Sequence, residues 1–127
     1  MPSPDVDPLR LLFVEDNADI RESFGMYFEL VGLKVHEAGD GATALRLAGE
    51  YPIDVVVMDI TLPDIQGDEL ARSLSEHPSM ANVPLIALSG RPVPAKELFF
   101  ATLVKPVDPA RVVEVVHAAT TKRRSSA

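Results

Sequence analysis

Short apolar runs alternate along the chain with longer amphipathic stretches, and the clearest run is IDVVVMD at residues 53–59, between Pro52 and Pro63. A valine-rich run of this length with no polar alternation predicts a strand buried on both faces, as at the centre of a parallel sheet. LRLLFV at residues 9–14, VPLIAL at 83–88 and ATLV at 101–104 have the same character, and residues 33–37 form a shorter fifth candidate. Between these runs the apolar period lengthens to that of a helix. Ile20, Phe24, Tyr27, Phe28 and Val31 share one face behind Asn17, a residue able to cap, with Gly32 placed to end the helix. Asp40 is the next cap, opening a small helix through Ala44, Leu45 and Ala48 that must finish before Pro52. After a turn at residues 62–67, Leu70, Ala71 and Leu74 point inward from a third helix reaching about Ser75, closed by His77-Pro78. VVEVVHAA at 112–119 is rich in β-branched residues, yet Asp108-Pro109 is a cap with proline at the first helical position. Val112, Val113, Val116 and Ala119 then fit a helical stripe.

One interval breaks the alternation. GRPVP at residues 90–94 is loop, which leaves only residues 95–100 before the last strand. Six residues at about 1.5 Å each make barely two helical turns, so a helix here is short or missing. Strands alternating with helices predict an α/β fold, a single-domain three-layer sandwich with right-handed crossovers. Five strands suit the parallel order 2-1-3-4-5, which sets strands one and three side by side. The domain spans residues 9–119; residues 1–8 are an extended N-terminal lead-in and residues 120–127 a frayed C-terminal tail.

Composition narrows the function more than the fold. The 127 residues suit one domain with a proper core. With 12 basic against 19 acidic residues the formal charge is -7, which argues against nucleic acid as a partner. No cysteine is present, so disulfides, thiolate metal sites and thiol catalysis are excluded. The acidic, proline-rich start is unlike a signal peptide, and no apolar run approaches the ~18 residues of a membrane span, so a cytoplasmic location is the expectation. His36, His77 and His117 stand on separate elements without ligand spacing and are read as ordinary surface or boundary residues.

The strand ends carry the chemistry. In the order 2-1-3-4-5, Glu15 and Asp16 after strand one converge with Asp59 at the end of strand three. Carboxylates this close repel unless protons or a cation compensate. All-oxygen donors with no His or Cys nearby point to a hard ion, Mg²⁺ before Ca²⁺. Ser89 at the end of strand four and Lys105 at the end of strand five add a hydroxyl and an ammonium to the same crevice. That set suits acyl-phosphate chemistry: a carboxylate attacks phosphorus while cations neutralise the transferring oxygens.

With Glu15-Asp16, Asp59 followed by Pro63 and Gly67, Ser89-Gly90 and Lys105-Pro106 in this order, the chain resembles the receiver domain of two-component response regulators, a flavodoxin-like fold. The resemblance covers about residues 9–119. It implies that Asp59 accepts a phosphoryl group from a phosphohistidine of a histidine kinase or histidine phosphotransfer protein. It implies Mg²⁺ held by Asp16, Asp59 and the main-chain carbonyl of Thr61, with Glu15 acting mainly through coordinated water. Lys105 would pair with the phosphoryl oxygens and Ser89 would swing toward them. Such a domain switches protein contacts without turning over an independent substrate, and here it would be a stand-alone switch or relay station.

Two departures stand beside the resemblance. Receivers commonly carry an aromatic three residues before the lysine, and Thr102 occupies that position, while Phe99 and Phe100 are expected to fill core. The shortened interval 90–100 removes part of the face that usually gives output and dimerisation. An interaction module of the same fold that no longer depends on phosphorylation is therefore a second reading. A phosphatase working through an aspartyl-phosphate is a third, weakened because Thr61 stands where such enzymes carry a second acid.

Overall fold

The computed structural model describes residues 7–125, with side chains described through Thr121. Five parallel strands, β1 (Arg10–Val14), β2 (Lys34–Ala38), β3 (Val55–Asp59), β4 (Leu85–Ser89) and β5 (Ala101–Val104), pair in the order β2-β1-β3-β4-β5. Four helices, α1 (Ala18–Leu30), α2 (Gly41–Glu50), α3 (Gly67–Glu76) and α4 (Pro109–Ser125), complete the three layers. β5 matches the sequence expectation, and the ends of the other strands differ from it by at most two residues.

The unbroken apolar runs are explained by two cores, one on each face of the sheet. Along β1, Leu12 and Val14 face α2 and α3, while Leu11 and Phe13 face α1 and α4. The same alternation divides Val56 and Met58 from Val55 and Val57 on β3, and Leu85 and Ala87 from Ile86 and Leu88 on β4. A central strand buried on both sides needs apolar residues at every position, whereas β2, at an edge, reads KVHEA with one fully buried residue, Ala38. Phe28 brings α1 onto the sheet, meeting Phe13 edge to face with ring centroids 5.3 Å apart.

At the amino ends of the strands, Arg10 and Asp54 lock β1 to β3. The Arg10 amide and Nε donate to Asp54 Oδ2 at 2.8 and 3.1 Å, and Nη2 donates to Oδ1 at 3.2 Å. The hydrogen bond to Asp54 is the main cause holding the Arg10 guanidinium above its ordinary pKa.

Between β4 and β5 the chain makes only a single 3₁₀ turn, Lys96–Leu98, entered through Ala95 in a left-handed conformation (φ 54°). Val93 and Phe99 are buried in the α2–α3 core, and Leu98 packs against it, filling space where a full helix would lie. Phe100 is not core: it is 42% exposed, while its amide donates to Leu85 O to start β5.

Two more expectations are corrected. Leu45 is exposed, and Leu47 instead packs beside Ala44 and Ala48. The last helix does not fray at Thr120. It continues to Ser125, and Thr120 is buried with its hydroxyl donating to Val116 O at 2.9 Å. That bond satisfies the polar group and removes the cost of burying it. The lead-in lies largely outside the described residues. Of the three histidines, His77 and His117 are exposed, and His36 is half-buried with its ring stacked on Tyr51 at 4.5 Å.

Candidate functional site

Parallel strands in register deliver their carboxyl ends to one edge. Val14 pairs with Met58, Asp59 with Leu88, and Ser89 with Val104, so Glu15, Asp59, Ser89 and Lys105 stand in a row along that edge. The Lys105 amide donates to Ser89 O at 2.9 Å, extending the ladder by one residue, and the Lys105–Pro106 peptide is cis. Asn17 caps α1, its Oδ1 accepting from the Ile20 amide at 3.0 Å, which fixes where Glu15 and Asp16 leave the strand.

Lys105 is the hub. Its Nζ donates to Asp59 Oδ2 at 2.8 Å and to Glu15 Oε1 at 3.1 Å. The second oxygen of each acid takes a main-chain amide: Thr61 N to Asp59 Oδ1 at 2.9 Å, and Asn17 N to Glu15 Oε2 at 3.1 Å. Asp59 and Glu15 are 5% and 1% exposed, while Asp16 is open to solvent. One carboxylate oxygen each from Glu15, Asp16 and Asp59 lie within 4.8 Å of one another. Burial pushes the Glu15 carboxyl above its ordinary range, against the Asn17 amide and the Lys105 ammonium, with the Asp59 charge adding to the rise. Burial opposes the Lys105 charge, but the bonds to Asp59 and Glu15 outweigh it and hold that ammonium above its usual value.

Ser89 is in the row but not in the cluster. Its hydroxyl donates to Arg91 O at 2.7 Å and accepts from Arg91 N at 3.2 Å, closing a local turn. Thr61 enters through its main chain, by the amide on Asp59 and by a bridge to Gln66 that shapes the loop after β3. Gly67 belongs to that loop's packing, since a Cβ there would come within 2.8 Å of Ile60 main-chain atoms. Thr102 is half-buried on β5, beside an open groove of about 350 Å³ that also borders Ser89, Pro92 and Val104.

Two residues escaped the sequence reading. Asp64, in the loop after Asp59, accepts from the Gly41 and Ala42 amides at 2.8 and 3.0 Å. Together with Asp40, which accepts from Thr43 N at 2.7 Å, it satisfies the first amides of α2 and ties the β3–α3 loop to that helix. Arg21 reaches from α1 to the Glu15 carbonyl at 2.8 Å. Neither follows a spacing rule; an acid in a turn and a basic residue on a helix are common everywhere.

The family model for the response regulator receiver domain matches residues 11–117. The chain belongs to that family. As a receiver domain it has a phosphoryl-accepting signalling role in two-component systems. It is 44% identical over 81 residues to the aerobic respiration control protein ArcA of Escherichia coli, a match covering 64% of this chain and 33% of that protein. It is 35% identical over 107 residues to the CAI-1 autoinducer sensor kinase/phosphatase CqsS of Vibrio cholerae, covering 78% of this chain and 16% of that one. The receiver thus spans a third or less of these two relatives. Among solved structures, the chemotaxis response regulator CheY4 of Vibrio cholerae superposes with a TM-score of 0.82 at 24% identity, covering 88% of this chain and 98% of that one. The receiver domain of sensor histidine kinase PA1611 from Pseudomonas aeruginosa, solved with a magnesium ion in its active site cleft, gives 0.80 at 23% identity, with 90% and 98% covered. At these identities the two structures bear on the fold alone. The expected strand order and the shortened β4–β5 interval agree with the structure, and among the described residues no helix is long and apolar enough to cross a membrane.

Proposed function

We propose that Asp59 is the phosphoryl acceptor of this receiver. The observation that carries the reading is a buried carboxylate at the end of β3 with the Lys105 ammonium 2.8 Å from one oxygen and an amide on the other. The Asp59 oxygen attacks the phosphorus of a phosphohistidine on a histidine kinase or phosphotransfer protein. The new O–P bond forms as the P–N bond breaks, and the imidazole leaves with that electron pair. Lys105 faces the oxygens that arrive, because its Nζ already sits on the attacking group.

The donor set also fits Mg²⁺. Three carboxylate oxygens within 4.8 Å, one of them solvent-exposed, match an ion that binds a few carboxylates and keeps water. Asp16, Asp59 and the Thr61 carbonyl would hold it directly, with Glu15 acting through water, and when bound it would offset charge on the transferring oxygens. Phosphorylation brings about two negative charges and new acceptors to a crevice where Ser89 is held only by its own turn. Rotation of its hydroxyl toward the phosphoryl oxygens would open that turn and alter the surface of residues 90–100. In this role the domain works in the cytoplasm as a switch or relay, consuming no independent substrate.

Borohydride reduction of the phosphorylated protein followed by peptide mapping tests the acceptor. The reduced side chain is expected at position 59, and a reduced residue elsewhere, or none, removes the assignment. The single 3₁₀ turn between β4 and β5, with Thr102 beside it, favours one further reading, an interaction module indifferent to phosphorylation. Partner binding unchanged in Asp59→Asn and by phosphorylation would select it.

A further inference from the structure

Arg21 lies outside the row of strand ends, yet it holds the main chain from which two members of the acidic cluster project. From the first turn of α1 its Nη1 donates to the carbonyl of Glu15 at 2.8 Å and, more weakly, to that of Asp16 at 3.5 Å. On its other side Nε lies 3.8 Å from Glu37 Oε1 on β2, and the side chain is 22% exposed. Gly39 makes the room, because a Cβ there would stand 3.0 Å from Nη1. A planar guanidinium anchored on β2 thus grips the β1–α1 loop through carbonyl oxygens. Among the described residues no hydrogen bond fixes the Asp16 carboxylate, so its direction follows from the main chain that Arg21 holds.

We infer that Arg21 is a positioning residue of the receiver, setting the Glu15–Asp16 backbone so that both carboxylates meet Asp59 at the spacing a divalent cation requires. This rests on the reading of Glu15, Asp16 and Asp59 as the Mg²⁺ site. Two effects of the arginine oppose each other, and their signs separate the possibilities. A positive charge this close to the cluster repels Mg²⁺, so its removal by itself tightens binding. A misplaced carboxylate weakens binding, as loss of an outer partner of a metal ligand typically does by about tenfold or more.

Calorimetric Mg²⁺ titration of the full chain, as the parent and as Arg21→Ala, Arg21→Lys and Arg10→Ala, decides between them. Arg21→Ala is expected to bind Mg²⁺ about tenfold more weakly. Arg21→Lys keeps the charge but loses the fork, and is expected to fall between, roughly threefold weaker. Arg10→Ala breaks the lock with Asp54 at the far end of β1 and lowers stability, yet is expected to stay within about twofold of the parent, since distant sites act independently. Amide resonances of Asp16 and Asn17 in Mg²⁺-free protein should shift in Arg21→Ala and not in Arg10→Ala. Equal or tighter binding in Arg21→Ala overturns the inference. Should that variant fail to fold, Arg21→Lys at parent affinity overturns it instead. A parent that binds no Mg²⁺ removes the metal site itself, whereas a parent that binds beside an unchanged Arg21→Ala removes only the role of Arg21.

Discussion

Replacing Lys105 by methionine removes the cation that Glu15 and Asp59 share and leaves two almost fully buried carboxylates facing each other. With their oxygens no more than 4.8 Å apart, an effective dielectric constant of about 20 gives a repulsion of about 3.5 kcal/mol. The protein can relieve it by protonating one acid, and Glu15 is the candidate, because burial already raises its pKa. Holding a proton at pH 7 on a carboxyl of ordinary acidity costs about 3.5 kcal/mol, at about 1.4 kcal/mol per pH unit. Both routes therefore put the loss in Lys105→Met at about 3 kcal/mol, in the range for breaking a buried pair. The loss should shrink as the pH falls, to about 2 kcal/mol at pH 6, because the proton becomes cheaper to hold. Guanidinium denaturation in the presence of chelator, parent against variant at pH 7 and pH 6, measures both quantities, and heating should show a fall of about 10 °C in Tm. Equal stability at pH 7, or a deficit that grows on acidification, would refute the reasoning.

Other outcomes follow from individual contacts. Glu15 has a raised pKa in the folded protein, so its contribution to stability is present below its ordinary pKa and lost as pH rises through the folded value. Denaturation midpoints of Mg²⁺-free parent should accordingly gain, relative to Glu15→Gln, as the pH falls from neutral toward the ordinary carboxyl range, and parallel profiles would contradict this. Gly67→Ala sets a methyl against Ile60 main-chain atoms and should cost about 1–3 kcal/mol in chemical denaturation, a loss that parent-like stability would exclude. Asp54→Ala strands the Arg10 guanidinium and should cost about 2 kcal/mol at pH 7 without altering Mg²⁺ affinity, both readable by denaturation and calorimetry.

What could be read from the residues was whatever burial imposes on neighbours in sequence. Runs such as VVVM and LIAL must be apolar at every position because both faces are covered, and parallel pairing then brings together the polar residues that follow them, Asp59 and Ser89. Glu15, Asp59 and Lys105 were legible for that reason. Contacts between distant side chains and main chain were not: the grip of Arg21 on Glu15 O and of Asp64 on the start of α2 have no periodicity to betray them. Thr120 misled because a hydroxyl reads as surface, while its bond to Val116 O lets it lie in the core. Leu45 was placed inward although it is exposed, since a ten-residue helix with alanine at both inward turns offers little contrast between flanks. Phe99 and Phe100 parted because one ends a 3₁₀ turn pointing inward and the next begins the edge strand. The short β4–β5 interval was visible as a simple count of residues, but not that Val93 and Phe99 would close the core there.

Asp59 is proposed to take the phosphoryl group with the help of a divalent cation. Incubation with a small acyl-phosphate donor and Mg²⁺, followed by intact-mass measurement, tests it most directly. One added phosphoryl group is expected on the parent, none on Asp59→Ala, and none when the metal is chelated. A parent that gains no mass although Mg²⁺ binds, or a gain that persists in Asp59→Ala, would contradict it.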